Sequence, residues 1–205
     1  MTSTWMILAV ISVTPLRRSM VAATIETTNA ERQDRHEPRR RYHPREDGKT
    51  GGRYFMDADA DLPAIVGRVR SSFAKQGLMT TLGASLVKVA RGSVEIELRP
   101  SPSISQQHGF VHAGAVAAIA DSAAGYAALT LMPPGSGVLS TEFKINLLAP
   151  ARGDRIVARG GIVKAGRTLT VAQSEVVAET DGEEKLIALV TATLMRVEAR
   201  DGIAD

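Results

Sequence analysis

Apolar and polar positions follow two different periods near the middle of the chain, and these patterns predict a helix followed by a β-hairpin. The helical pattern begins after Asp61, a favourable N-cap residue, and has Pro63 in its first turn. We expect this helix to end at Gly77. Two β-rich runs come next, on either side of the turn-forming pair Arg91-Gly92, and they cover residues 78–89 and 93–98.

The alanine-rich run from His112 to Met132 is the most informative segment of the chain. Alanine has the highest helix propensity, and Pro133 marks the point where the helix must stop. The length of the run suits a membrane span, but alanine is weakly hydrophobic and a central Asp121 costs about 2.5–3.5 kcal/mol in lipid. We therefore interpret the run as a helix buried in a protein core and covered on every side.

Four more β-rich runs follow the alanine-rich helix, and turn signals separate them. Ala165-Gly166 and Asp181-Gly182 each connect two runs, and Asp-Gly is a strong hairpin signal. The runs cover residues 137–148, 155–164, 168–178 and 185–197. The order of helix, two strands, buried helix and four antiparallel strands predicts an α+β domain, in which a curved antiparallel sheet wraps the alanine-rich helix.

A change of composition near residue 58 predicts three regions along the chain. Residues 1–57 form an N-terminal extension, residues 58–198 the folded domain, and residues 199–205 a C-terminal tail. The extension contains an arginine-rich stretch with few aliphatic residues, which favours disorder. Its apolar start is too short for a membrane helix and lacks a preceding basic residue, so we expect a cytoplasmic protein. Translation from Met20 or Met56 is an alternative that shortens the extension.

Composition and charge exclude several classes of chemistry. The 205 residues include no cysteine, which removes disulfides, thiolate metal sites and cysteine nucleophiles. A net charge of +3 does not indicate a nucleic-acid-binding protein. His108 and His112 are four residues apart, but Gly109 argues against a helix between them and no third ligand completes a metal site. We therefore predict no metal and no nucleic acid.

Asp121, in the middle of the alanine-rich helix, is the main candidate for a chemically active residue. A carboxylate in so apolar a setting needs a partner or a perturbed pKa, and perturbed groups are common in functional sites. A structural carboxylate paired with an arginine or a backbone amide is the alternative. Ser122 is a second candidate beside it, and we interpret Tyr126 as a packing residue.

A loop-and-helix motif resembles that of a known family. Its residues are Gln106-Gln107-His108-Gly109-Phe110-Val111-His112-Ala113-Gly114, followed by Asp121 and by the stretch 140–150. The motif resembles that of hotdog-fold acyl-CoA thioesterases of the phenylacetate-degradation (PaaI-like) type, over about residues 78–197. The resemblance implies a five- or six-stranded antiparallel sheet wrapped around a long central helix, with sites at the interface of a homodimer or within a homotetramer. It also implies hydrolysis of an acyl-CoA substrate by water without a cofactor.

The resemblance also implies a role for each matching polar residue. Asp121 matches the carboxylate that attacks the thioester or activates water, and Ser140 matches a polar residue that supports this step. Gln106 matches an amide that positions the substrate carbonyl or the water, and Gln107 offers a competing alignment.

The start of the alanine-rich helix matches the family's oxyanion hole. The family has His-Gly-Gly there, whereas this chain has His112-Ala113-Gly114, and the backbone N–H of Ala113 survives the change from glycine. Unpaired N–H groups at a helix start, reinforced by the helix dipole, stabilise a developing oxyanion. We interpret His112 as a cap or loop-positioning residue rather than a direct catalyst.

Cationic residues at turns and strand ends are candidates for contact with the phosphates of coenzyme A. They are Arg152, Arg155, Lys164 and Arg167.

Two other functions stay open at this point. A non-catalytic acyl-CoA-binding module needs the groove but not Asp121, and a 3-hydroxyacyl dehydratase needs a loop histidine opposite a helix carboxylate at a different spacing.

Overall fold

The structure is a computed structural model that describes residues 61–198 of the chain. Our predictions of an extension over residues 1–57, of a tail over residues 199–205 and of alternative starts therefore lie outside the described residues. The predicted domain start at residue 58 lies there too. In the described part of the chain, no helix combines the length and hydropathy needed to cross a membrane.

The strands form one six-stranded antiparallel sheet, as predicted. Its strand order is β1-β2-β4-β5-β6-β3, so β1 and β3 form the two edges. Every neighbouring pair is antiparallel. The strands are β1 (Ser85–Ala90), β2 (Ser93–Leu98), β3 (Gly137–Leu147), β4 (Arg155–Lys164), β5 (Leu169–Thr180) and β6 (Glu183–Val197).

The predicted turns join the strands where the sequence places them. Gly92 has a φ of 72° between β1 and β2. Asp181 and Gly182 have φ values of 52° and 83° between β5 and β6, which is the pattern of two positive φ angles typical of a type I′ hairpin. Ala165-Gly166 lies in the connection from β4 to β5.

The helices correct two predictions. They are α1 (Leu62–Ala74), α2 (Gly77–Leu82) and α3 (Ala113–Leu129). Asp61 precedes α1 as predicted, but its side chain makes no capping hydrogen bond. Gly77 begins α2 instead of ending a helix, and residues 78–82 are helical instead of extended.

The end of α2 explains why this short run is helical. Gly83 adopts a left-handed conformation with a φ of 65°, and the N–H of Ala84 donates to the carbonyl of Met79 at 2.9 Å. This closing turn satisfies the last carbonyls of the helix. It also directs Met79 into the core, where the side chain is fully buried.

The central helix α3 lies directly against the sheet on one side only. Ser174 of β5 donates a hydrogen bond to the carbonyl of Ala120 at 2.7 Å, and Gly160 of β4 leaves room for the main chain at Ala123. The prediction that the helix is covered on every side is wrong. A stripe spaced three and four residues apart is only half-buried; its members are Ala117, Ala118, Asp121, Ser122 and Gly125.

Candidate active site

Asp121 and Ser140 form the polar centre of the first candidate site. Asp121 is half-buried in the middle of α3, and the hydroxyl of Ser140 on β3 donates to its Oδ1 at 2.8 Å. A β-bulge follows Ser140, because the register between β3 and β6 shifts between Ser140 and Glu142. Among the described residues, Asp121 has no ion-pair partner. The structural alternative of a carboxylate paired with an arginine therefore receives no support.

The Asp121 carboxylate lines a cavity of about 540 Å³, which we call the Asp121 cavity. One wall comes from α3 and the start of β3, and the opposite wall comes from the junction of α1 and α2. The junction contributes Ser72, Lys75 and Gln76, which the sequence does not indicate as site residues. The polarity of these residues alone does not indicate a site, because they reach the cavity only when α1 and α2 fold back onto α3.

A polar cluster connects the two walls of the Asp121 cavity. The amide Nε2 of Gln76 donates to the hydroxyl of Tyr126 at 2.8 Å, and the hydroxyl of Ser122 donates to Gln76 Oε1 at 3.4 Å. The hydroxyls of Ser72 and Tyr126 lie 3.3 Å apart. Tyr126 also packs its ring against Phe73, with ring centroids 5.9 Å apart, so it is both a packing residue, as predicted, and part of the cavity wall.

The start of α3 lines a second cavity of about 560 Å³, which we call the helix-start cavity. Gln106, Gln107, His112 and Ala113 line it together with the segment that follows β3. His112 is the N-cap residue of α3, and its Nδ1 accepts a hydrogen bond from the N–H of Gly114 at 2.9 Å. The predicted capping role of His112 agrees with this contact.

The capping hydrogen bond to His112 determines which N–H groups at the start of α3 are free to bind an oxyanion. His112 occupies the N–H of Gly114, so Gly114 does not offer a free donor. The N–H of Ala113 has no acceptor within residues 61–198. Ala113 does not have a positive φ, because Asp181 is the one non-glycine residue with a positive φ in that same range. The backbone of Ala113 therefore does not require glycine.

The two candidate glutamines differ in how firmly the structure holds them. Gln106 is half-buried, and its Oε1 accepts a hydrogen bond from the N–H of His108 at 2.6 Å. Its backbone also closes the loop, because its N–H donates to Phe110 and its carbonyl accepts from Gly109. Gln107 is exposed, and its Nε2 lies 3.4 Å from His108 Nε2. This difference favours Gln106 as the positioned amide.

One protomer does not bring the two sets of candidate residues together. The two cavities share no lining residue. Ala113 and Asp121 are eight residues apart on α3, which corresponds to about 12 Å along the helix axis. An oxyanion donor must lie about 2.7–3.1 Å from the oxygen that becomes charged. The Ala113 N–H and the Asp121 carboxylate of one chain therefore cannot act on the same carbonyl.

The four predicted phosphate-binding cations do not converge. Arg152 and Arg155 lie before or at the start of β4 and Lys164 at its end, so the ten-residue strand separates them by about 30 Å. Arg155 forms ion pairs with Glu179 at 2.7 Å and Glu97 at 3.1 Å. These hydrogen bonds, mainly that of Glu179, raise the pKa of Arg155.

Ion pairing distinguishes Arg155 from the other three cations. The two carboxylates beside Arg155 already neutralise its charge, so this residue has no surplus charge for coenzyme A phosphates. Arg152, Lys164 and Arg167 are exposed and form no ion pair within the described range of the chain. In the same range, no three or more His, Cys, Asp or Glu side chains are grouped so that they can hold a metal ion.

The sheet order and the central helix define a hotdog fold, and the comparisons with known proteins point to one family. The family model described as Thioesterase superfamily matches residues 108–185. A solved thioesterase family protein from Silicibacter pomeroyi is 48% identical, with a TM-score of 0.65, and the match covers 66% of this chain and 99% of that one.

Two further relatives agree with this assignment. A solved variant of the phenylacetic acid degradation protein PaaI from Thermus thermophilus is 28% identical, with a TM-score of 0.53, over 60% of this chain and 100% of that one. A 1,4-dihydroxy-2-naphthoyl-CoA hydrolase from Listeria monocytogenes is 26% identical over 118 residues, which are 58% of this chain and 94% of that protein. The chain belongs to the thioesterase superfamily, and it is a thioester hydrolase.

Proposed function

We propose that the protein hydrolyses acyl-CoA thioesters to a free acid and coenzyme A. Asp121 acts as the nucleophile or the general base, and the N–H of Ala113 stabilises the oxyanion. The hydrogen bond of 2.8 Å from Ser140 to Asp121 Oδ1 carries this proposal. It orients a carboxylate at the wall of a cavity and leaves the second carboxylate oxygen without a partner among residues 61–198.

The chemistry of hydrolysis suits these groups. As a general base, Asp121 takes a proton from water while the water oxygen bonds to the thioester carbon. As a nucleophile, its carboxylate forms an acyl anhydride that water then hydrolyses. In both routes the carbonyl oxygen gains negative charge, which the N–H of Ala113 and the dipole of α3 stabilise. In the general-base route the C–S bond then breaks, and the coenzyme A thiolate takes the proton that Asp121 received from water. In the nucleophilic route the C–S bond breaks as the anhydride forms, and the thiolate takes up a proton released by the water that hydrolyses the anhydride.

We propose that two copies of the chain complete each site, so that Asp121 of one copy faces the helix start of the other. The separation of about 12 Å between Ala113 and Asp121 within one chain supports this arrangement. The edge strand β3 also supports it, because it has no neighbour on one side among the described residues and carries exposed apolar side chains. Phe143 is 45% exposed, and Leu147 and Leu148 at its end are 56% and 52% exposed.

A two-fold axis beside β3 suits these features. An isologous interface pairs an edge strand with its own copy in antiparallel fashion, and it buries the same apolar residues twice. We therefore propose a homodimer, with a homotetramer as a pair of such dimers. In either assembly each dimer contains two equivalent sites.

Coenzyme A is the proposed carrier of the acyl group. The Listeria monocytogenes relative is a hydrolase of a CoA thioester, which supports this choice. Gln106 is the proposed amide that positions the carbonyl or the water. Arg152, Lys164 and Arg167 are the proposed contacts for the phosphates, and we leave out Arg155 because Glu97 and Glu179 neutralise it.

Asp121→Asn tests this function. We expect the substitution to lower kcat for an acyl-CoA, measured by release of free thiol, by at least about 100-fold. The thermal midpoint and the Kd for the acyl-CoA should change little, because asparagine still accepts from Ser140. Glu175→Gln, an equivalent change at an exposed position on β5, is the matched control and should keep full activity.

Two results contradict the proposal. Unchanged turnover by Asp121→Asn shows that this carboxylate is not the active group. Tight acyl-CoA binding without turnover by the unmodified protein supports the alternative of a non-catalytic binding module.

A further inference from the structure

We propose that Ser174 is a positioning residue for the reaction, because its hydroxyl fixes the part of α3 that carries Asp121. The proposal rests on the function proposed above, since it takes Asp121 as the active carboxylate. The observation behind it is the hydrogen bond of 2.7 Å that the Ser174 hydroxyl donates to the carbonyl of Ala120. Ser174 lines neither cavity, so it acts through α3 and not by contact with the substrate.

The carbonyl that accepts from Ser174 belongs to the same peptide group as the backbone nitrogen of Asp121. A peptide group is planar, so its atoms, from the Cα of Ala120 to the Cα of Asp121, move as one unit. The Ser174 hydroxyl therefore restrains the orientation of this plane and, with it, the direction in which the Asp121 side chain leaves the helix. Ser140 restrains the other end of that side chain, through its hydrogen bond of 2.8 Å to Oδ1.

The buried side chains of α3 do little to fix the position of the helix. Methyl groups form low, uniform ridges, and apolar contact is non-directional, so packing alone resists a slide or a rotation of the helix only weakly. A directional hydrogen bond supplies the restraint that such side chains lack. Most of the buried residues of α3 are alanines; they are Ala115, Ala120, Ala123, Ala124, Ala127 and Ala128.

The hydroxyl of Ser174 lies in an apolar part of the core. Ser174 is fully buried, and so are Ala172 and Val176, the next residues on the same face of β5. Burying a hydroxyl is unfavourable unless it is hydrogen-bonded, and an alanine at this position avoids that requirement altogether. The serine therefore contributes a specific geometry to the contact between α3 and the sheet rather than apolar packing.

Gly160 of β4 adds a second restraint from the neighbouring strand. It pairs with Ser174 across the sheet, so the two residues meet α3 side by side. A Cβ atom at Gly160 would lie 2.7 Å from the backbone nitrogen of Ala124. That nitrogen is four residues beyond Ala120, so its N–H is the helical donor to the same carbonyl. Strands β4 and β5 therefore contact the helical turn that carries Asp121.

Catalysis is sensitive to small errors in the position of a carboxylate. A general base must come within about 2.6–3.2 Å of the group whose proton it takes, and a misplacement of about 1 Å can slow a reaction about 100-fold. Without the Ser174 hydrogen bond, Ser140 alone positions the carboxylate, so we expect a smaller displacement and a loss of about tenfold in kcat for Ser174→Ala. KM should stay within about twofold, because Ser174 contributes to neither cavity wall.

Initial rates of free-thiol release from acetyl-, hexanoyl- and benzoyl-CoA test this prediction, with the thioester hydrolysed fastest used for kcat and KM. Thr130→Val is the matched control, because the Thr130 hydroxyl is also buried and donates to a carbonyl of α3, that of Ala127, at 2.7 Å. Thr130 lies just beyond the end of α3, away from Asp121. Both variants should lose at least about 2 °C in thermal midpoint, but kcat should fall in Ser174→Ala alone.

Three results overturn the positioning role. An unchanged kcat in Ser174→Ala shows that the hydrogen bond is purely structural, and a higher KM without a lower kcat shows an effect on binding. Equal losses of kcat in Ser174→Ala and Thr130→Val show an effect of lower stability. Ser174→Cys is the second variant if the alanine variant does not fold. Its thiol is a weaker donor, so kcat should fall about threefold, and an unchanged kcat overturns the proposal here too.

Crystal structures of the variants separate this proposal from the proposed hydrolysis, because they do not depend on turnover. In Ser174→Ala the Asp121 carboxylate should shift by at least about 0.5 Å or adopt two conformers, whereas in Thr130→Val it should not move. A shifted carboxylate in a protein that hydrolyses none of the three thioesters, or full turnover by Asp121→Asn, refutes the proposed function and leaves Ser174 as the residue that positions this side chain. An unmoved carboxylate in Ser174→Ala refutes the role of Ser174 alone.

Discussion

Replacing Gly160 by alanine places a methyl group where the main chain of α3 lies against β4. A Cβ atom at this position comes within 2.2 Å of the carbonyl oxygen of Ala123 and 2.7 Å of the N–H nitrogen of Ala124. Neither contact can be relieved by rotating a side chain, because both involve main-chain atoms. The helix must therefore move away from the sheet by about 1 Å to restore an ordinary contact distance.

The expected cost follows from the contacts that this movement disturbs. Overpacking of a core usually costs about 1–3 kcal/mol, and the main-chain obstacle puts Gly160→Ala at or above the upper end. The residue paired with Gly160 on β5 is Ser174, whose hydroxyl bonds to the carbonyl of Ala120, and stretching this bond adds about 1 kcal/mol. We therefore expect a loss of about 3–4 kcal/mol from a total stability of about 5–15 kcal/mol.

Equilibrium unfolding in urea measures this loss, and the neighbouring glycine supplies the control. A Cβ at Gly161 meets nothing within 4 Å, so Gly161→Ala should change the free energy of unfolding by less than about 0.5 kcal/mol. Gly160→Ala should lower the urea midpoint by roughly 1–2 M. It should also lower kcat, because Asp121 lies between Ala120 and Ala123, whose main chains contact β5 and β4. Equal stability of the two variants refutes this account of how α3 packs against β4.

Two further predictions concern contacts away from the sites. Arg68 of α1 donates to the carbonyls of Leu129, Met132 and Pro133 at the end of α3, so Arg68→Met should lower the free energy of unfolding by about 2 kcal/mol; a thermal midpoint equal to that of the unmodified protein contradicts this. Hydrogen bonding to Arg159 lowers the pKa of Glu184 below its ordinary value of 4.5, so its contribution to stability is present above pH 4.5 and is lost as the pH falls through the folded-state pKa. The destabilisation by Glu184→Gln, at most about 1 kcal/mol for so exposed a pair, should therefore shrink as the pH falls below 4.5 in urea titrations, and a constant or growing difference contradicts the assigned cause.

The strands and the central helix were predictable because their ends carry specific turn chemistry. Asp181-Gly182 forms a hairpin with two positive φ angles, which few other residue pairs adopt without strain. Pro133 stops the alanine-rich helix within a few residues of the predicted end. The run over residues 78–82 was not predictable in the same way, because a short apolar run fits a strand and a helix equally well.

The positions of the polar site residues depend less on the local sequence pattern than on tertiary contacts. The motif pointed to Asp121 and Ser140, and the structure places their side chains in hydrogen-bonding contact. The sequence does not indicate Gln76 as a cavity residue, because it reaches the cavity wall only when α1 and α2 pack beside α3. Arg155 was assigned to phosphates because its pairing with Glu179 depends on the register between β4 and β5, which the sequence does not reveal.

A mixture of two variants, each of which we expect to be inactive alone, tests most directly whether Asp121 and Gln106 from different copies act on one thioester. Asp121→Asn and Gln106→Ala, produced together with different affinity tags, allow the hetero-oligomer to be isolated. In a hetero-dimer built as proposed, one of the two sites contains both intact residues, so we predict recovery of about half of the activity of the unmodified protein. A hetero-oligomer as inactive as its two parents contradicts the account, because it shows that both residues must belong to the same chain.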